Sequence, residues 1–201
     1  MLRSVLMATF ASSLVVAAAA FGFTYRGSEA SAPRVSAPQG PFAWLEQTSL
    51  PQSWTQLDGA SSVGPLPVPP GFRAVAGDRG TLTAVLFGPS GAYLGYLNAT
   101  PRQGGERLQG WPKFRLEHLR DDDARSTHED TAAQLVRTGT ALRSCVVDDY
   151  VTRVGSHNFH EVACLVVQHS ASSVIVAATP SGDPAHVWAE LQRAVAAYSA
   201  A

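Results

Sequence analysis

Cys145 and Cys164 are the two cysteines of this 201-residue chain, and they lie in the segments 145–153 and 158–168, each of which holds three valines. Short valine-rich runs of this kind read as β-strands. If a disulfide joins the two across neighbouring antiparallel strands, every other pair is set, because opposed residue numbers then add to 309. The hairpin closes around Arg153-Val154-Gly155-Ser156, with Gly155 where a positive φ is useful. Val147 then faces Val162, Tyr150 faces Phe159 and Thr152 faces His157. Alternation puts Cys145, Val147, Val151, Val162, Cys164 and Val166 on one face, the expected core side.

The same register opposes Asp149 to His160, an attractive pair, and Asp148 to Glu161, two carboxylates. Opposed like charges are unfavourable in a sheet. The favoured expectation is a solvated edge where each acid finds other partners and salt screens both. The alternative is a cation or proton-sharing site in which one carboxyl titrates high. Asp148, Asp149, His160 and Glu161 are therefore the candidate polar cluster, while no catalytic residue, metal ligand or cofactor is assigned.

Whether the cysteines oxidise depends on the compartment, and the N-terminus bears on that. Residues 4–25 form a 22-residue stretch without charge, between Arg3 and Arg26. At about 1.5 Å rise per residue it reaches across the roughly 30 Å hydrocarbon layer. A signal anchor is expected, with the domain outside the cytoplasm. A cleaved secretory signal, ending at Ala18-Ala19-Ala20 or Ala30-Ser31-Ala32, is the alternative. A lipoprotein is excluded, because the first cysteine is Cys145. Outside the cytoplasm an even pair of cysteines is expected to bridge.

Residues 27–70 hold eight of the thirteen prolines, four of them at Pro65, Pro67, Pro69 and Pro70. Proline removes donors and favours extended backbone, so this region reads as a stalk and lead-in. Phe42, Trp44, Leu45, Leu50, Trp54 and Leu57 are too apolar for a plain linker and are expected on the domain surface or in its first short element. From residue 71 to 201 regular signals appear. Segments 81–87 and 93–100 read as a hairpin joined by Gly88-Pro89-Ser90-Gly91. A helix is expected over 111–119, with Pro112 near its start. Ser126-Thr127-His128-Glu129 fits a capping box for a second helix, which Gly139 would stop. Strands over 145–153, 158–168 and 172–178 form a meander. A last helix, capped by Asp183 with Pro184 first, carries Val187, Trp188, Leu191, Val195 and Tyr198 at helical spacing. The expected fold is α+β, an antiparallel sheet of about five strands, hairpin plus three-stranded meander, packed by helices and preceded by the N-terminal membrane or signal helix.

Motifs for common chemistries are missing from the sequence: there is no GxSxG elbow, Walker loop, GxGxxG or HExxH. His118 and His128, near Asp121-Asp122-Asp123, read as an exposed polar connection. Tyr93, Tyr96, Trp111, Phe114 and Trp188 read as core aromatics, with a ligand groove as the alternative. Beyond Arg26 the chain has thirteen basic and sixteen acidic residues, a formal charge of -3, so nucleic acid is not an expected partner.

The run Gly91-Ala92-Tyr93-Leu94-Gly95-Tyr96-Leu97-Asn98-Ala99-Thr100-Pro101, the segment Gly110-Trp111-Pro112-Lys113-Phe114-Arg115, and Ser144 to Tyr150 with Glu161 to Leu165 resemble an uncharacterised family of exported actinobacterial proteins. The order of elements is also similar to the PsbP-like α+β domain. Neither resemblance carries a catalytic residue or cofactor. The expected function is a non-catalytic extracytoplasmic binding or accessory domain, attached to the membrane by its N-terminal helix and contacting a protein or envelope partner. The alternatives are an exported hydrolase or metal-dependent enzyme using Asp148, Asp149, His160 and Glu161, and a small-molecule or lipid carrier.

Overall fold

A computed structural model describes residues 34–46, 49–59, 62–182 and 185–199. The expected N-terminal helix, the expected stalk to residue 33, and the expected cap by Asp183 and Pro184 fall on residues outside the described ones. No helix among the described residues is long and apolar enough to cross a membrane.

The first hairpin forms as its turn residues dictate. Strands β4 (Leu82–Phe87) and β5 (Tyr93–Pro101) pair in antiparallel fashion, and the amide of Gly88 donates to the carbonyl of Ala92 at 2.8 Å. Helix α1 (Trp111–Asp122) follows, with Pro112 in its first turn and Arg120 in its last, where a cation favours the helix dipole. Strands β7 (Ala141–Thr152), β8 (Asn158–Gln168) and β9 (Ala171–Pro180) make the meander, and α2 (Ala185–Ala197) closes the fold.

The 309 register holds along β7 and β8, from Leu142 opposite Val167 to Val151 opposite Asn158. Cys145 and Cys164 are bridged, with α-carbons 4.1 Å apart. Gly155 turns the hairpin at φ +77°, and a β-carbon there would lie 2.4 Å from the His157 ring. Thr152 and His157 meet through an amide-to-carbonyl bond of 2.9 Å.

The region from 126 to 139 corrects the expectation of a helix. Ser126-Thr127-His128-Glu129 belongs to β6 (Ala124–Thr138), an edge strand paired with β7 from Ala124 opposite Thr152 to Thr138 opposite Ala141. Gly139, at φ +58°, turns this hairpin rather than stopping a helix. Buried β7 carries Cys145 and Val146, both fully enclosed, and its outer backbone groups require partners. A helix at this position would leave them unpaired, so tertiary demand overrides the local capping signal. Three bulges interrupt β6, near Ser126, Asp130 and Leu135, and irregularity of this kind protects a sheet edge.

The large sheet accordingly has seven strands rather than about five, in the order β3-β4-β5-β9-β8-β7-β6. Its other added edge is β3 (Arg73–Val75). A two-stranded sheet of β1 (Thr55–Leu57) and β2 (Leu66–Val68) stands beside it, with all of β2 buried despite Pro67. A 3-10 turn, Gly40–Leu45, buries Phe42 and Leu45, so the core extends upstream of Gly71.

Helices cover both faces of the sheet. Beneath α2 lie Cys145, Val147, Val162, Cys164, Val166 and Ile175, met by Val187, Leu191, Ala194 and Val195. Beneath α1 lie Val146, Ala163, Leu165, Val174 and Val176, met by Trp111. The expected core side is thus one of two, and Val151 at the strand end is half-buried. Arg143, 1% exposed, ties the end of α2 to the sheet by donating to the carbonyls of Val195, Ala196 and Tyr198.

Candidate functional site

The four polar residues of the β7–β8 hairpin lie in two adjacent rungs, and the period of two assigns each rung to a different face. Asp148 and Glu161 face α1. Asp149 and His160 face α2. The sheet stands between the pairs, so they do not converge in one pocket.

Asp148 and Glu161 are both 0% exposed, which corrects the expectation of a solvated edge. Arg115, three residues beyond Pro112 on α1, reaches down to Glu161. Its Nε donates to Oε1 at 2.8 Å and its Nη2 to Oε2 at 3.0 Å, a bidentate arrangement. The Tyr96 hydroxyl adds a contact of 3.4 Å to Oε2. Burial alone would lower the Arg115 pKa, but the charge of Glu161 beside it holds the pKa above its usual value. Among the described residues neither oxygen of Asp148 has a hydrogen-bond partner. Burial, then the charge of Glu161, pushes its pKa up to about 8, which favours the protonated acid. Burial likewise raises Tyr96 well above the ordinary phenol range.

Toward the hairpin end the α1 face carries an aromatic ladder. Arg73 on β3 lies 4.7 Å from the Phe87 ring centre on β4. Phe87 meets Tyr93 on β5 edge-on at 6.3 Å, Tyr93 meets Phe159 on β8 at 5.8 Å, and Phe159 stacks on Tyr150 of β7 at 5.4 Å. Phe87 is 38% exposed, while Tyr93 and Phe159 are half-buried. A groove of about 570 Å³ adjoins them, lined also by His157, Asn158 and Pro180.

On the α2 face a second row crosses the strands: His128 on β6 opposite Asp149 on β7, which is opposite His160 on β8. His160 Nδ1 is 2.9 Å from Asp149 Oδ1 and 3.7 Å from Asp130 Oδ2. Asp130 sits in the β6 bulge between Glu129 and Thr131. The His160 ring packs on Trp188 of α2, with centres 4.3 Å apart.

The expected aromatic set divides: Trp111 is buried, Trp188 backs His160, and Tyr93 and Tyr96 belong to the ladder and the buried ion pair. His118 pairs with Asp122 within α1 at 3.1 Å, and His128 lies on a strand instead of a helix. Sequence reasoning missed Arg115 as the partner of Glu161 and Asp130 as a neighbour of His160. Read as a strand, β6 brings His128 opposite Asp149 by alternation, whereas no local signal leads from α1 to Glu161.

No protein-family profile matches the chain, and no curated protein matches it. Among solved structures, it is similar to the Ran-binding protein Mog1p of Saccharomyces cerevisiae, at 13% identity and a TM-score of 0.48, over 71% of this chain and 92% of that one. It is also similar to PA94, a protein of unknown function from Pseudomonas aeruginosa, at 12% identity and a TM-score of 0.43, over 70% of this chain and 94% of that one.

Proposed function

We propose that the chain is an extracytoplasmic binding domain, held at the membrane by residues 4–25, that contacts a protein partner through the aromatic ladder. The observation that carries this reading is the ladder itself. Arg73, Phe87, Tyr93, Phe159 and Tyr150, drawn from five strands, form one continuous line of contacts that passes over β9, partly exposed, beside an open groove. Aromatic and arginine side chains on a rigid support are the residues that dominate protein interfaces. The buried Cys145–Cys164 bridge supports an oxidising compartment.

An enzyme using Asp148, Asp149, His160 and Glu161 together would need them in one pocket, and strand alternation divides them. A carrier would need an apolar chamber between sheet and helix, where Val187, Leu191, Ala194 and Val195 pack against the core without exposure.

A photoreactive residue placed at Phe87 in intact cells should crosslink a discrete protein, and Tyr93→Ala should abolish that product while the protein remains folded by far-ultraviolet circular dichroism. The same probe at Gln168, at the other end of β8, should give no such product. Identical products from both positions would overturn the reading.

A further inference from the structure

Three side chains able to ligate a metal, Asp130, Asp149 and His160, meet on the α2 face with His128 beside them, away from the aromatic ladder and independent of it. His128 and Asp130 come from β6, Asp149 from β7 and His160 from β8. Oxygen atoms of Asp130 and Asp149 and a ring nitrogen of His160 all lie within 4.8 Å of one another. His128 Nε2 is 3.7 Å from Asp130 Oδ1, and its side chain, 79% exposed, has room to turn inward.

We propose that His128, Asp130, Asp149 and His160 bind a divalent first-row transition metal of the zinc type. Two imidazoles and two carboxylates form a nitrogen and oxygen set that suits zinc, whereas magnesium and calcium take oxygen alone. Tetrahedral zinc with bonds of about 2.0–2.2 Å places neighbouring ligand atoms about 3.3–3.6 Å apart. The distances of 2.9 and 3.7 Å from His160 Nδ1 to the two carboxylates bracket that separation.

The surroundings suit a metal as well. A sheet fixes the three strands, which limits the reorganisation needed on binding. Trp188 packs against His160 and orients its ring, as outer-shell contacts do in metal sites. A groove of about 310 Å³, bordered by Asp149, His160, Pro180, Ser181 and Trp188, provides entry from solvent.

The test is titration of the full chain in detergent micelles with Co²⁺, followed by displacement with Zn²⁺. Expected are one Co²⁺ per chain, visible bands of tetrahedral intensity that Zn²⁺ abolishes, and no competition from excess Mg²⁺. His160→Gln and Asp149→Asn should each weaken binding by at least about tenfold. His128→Gln, a change at an exposed position, should weaken binding without affecting the fold. His118→Gln, in the α1 pair with Asp122, should leave affinity unchanged. Lack of saturable Co²⁺ uptake, or equal uptake by the wild type and the folded His128→Gln and His160→Gln variants, would overturn the proposal.

Discussion

Arg115 on α1 holds Glu161 on β8 through two charge-assisted hydrogen bonds, at 2.8 and 3.0 Å, and Glu161 is 0% exposed. The bond pair fastens a helix to the centre of the sheet. It also places a positive charge near Asp148, which lies opposite Glu161 in the neighbouring strand. Removing one partner of a buried pair costs more than removing both, because the survivor is left charged without compensation. Arg115→Met should therefore destabilise the protein by about 3–5 kcal/mol. Arg115→Met with Glu161→Gln should recover much of that loss, as read by denaturant unfolding in a double-mutant cycle.

Asp148 predicts a distinctive pH dependence. Its pKa rises from 3.8 in the unfolded chain to about 8 in the fold, so between these values the native state holds a proton that the unfolded state has released. The stability linked to that proton is full below the unfolded pKa, falls as the pH rises and is gone once the pH passes about 8. Asp148→Asn should remove this slope and be more stable than wild type at pH 8.5 by more than about 1 kcal/mol. Melting temperatures across pH 5–9 (about this range, spanning the shifted titration) check it; parallel curves for the two proteins would refute the assignment.

Arg143 should behave as an internal clamp. Its guanidinium donates to three carbonyls at the end of α2, and burial lowers its pKa to about 10. Arg143→Met keeps much of the apolar stem but leaves those carbonyls buried without donors. The cost should be roughly 1–3 kcal/mol. Hydrogen exchange should rise first in the last turn of α2, with the centre of β8 less affected.

The disulfide spans 19 residues of sequence and joins strands already paired in register. Cross-linking a loop of that length restricts the unfolded chain by about 3 kcal/mol. Replacing both cysteines with alanine should lower stability by about that amount or more, since the site is fully buried. The seven-strand sheet should persist, because its hydrogen bonds do not depend on the bridge. Far-ultraviolet circular dichroism and denaturant midpoints measure the two effects.

Much of the meander was legible because it is local. Two cysteines and one glycine determine a hairpin register, and a single offset then orders every rung from Leu142 to Val151. The hairpin of β4 and β5 and the two helices were legible for similar reasons, through turn residues and spacing. The segment from Ser126 to Glu129 misled, because its capping signal is also local while the force that decides it is not. The unpaired edge of buried β7 takes whatever chain can supply donors and acceptors. The proline-rich lead-in is extended as expected, but the burial of β2 within it was not legible, since that depends on packing against residues of α2 and Gly40–Leu45 in one core.

By itself the sequence determined the pairing of Asp148 with Glu161 and of Asp149 with His160, because strand register follows from chain numbering once one pair is known. Only the tertiary structure decided what those pairs are. Helix α1, brought over one face by its connection between β5 and β6, buries the first pair and delivers Arg115 to it. The arrival of β6 at the far edge adds His128 and Asp130 to the second. Charge and geometry at both sites depend on residues 30 or more positions away in sequence for Arg115 and Glu161, separated by 46, and 30 for Asp130 and His160. No local pattern reports contacts of that range; the packing of the whole domain does.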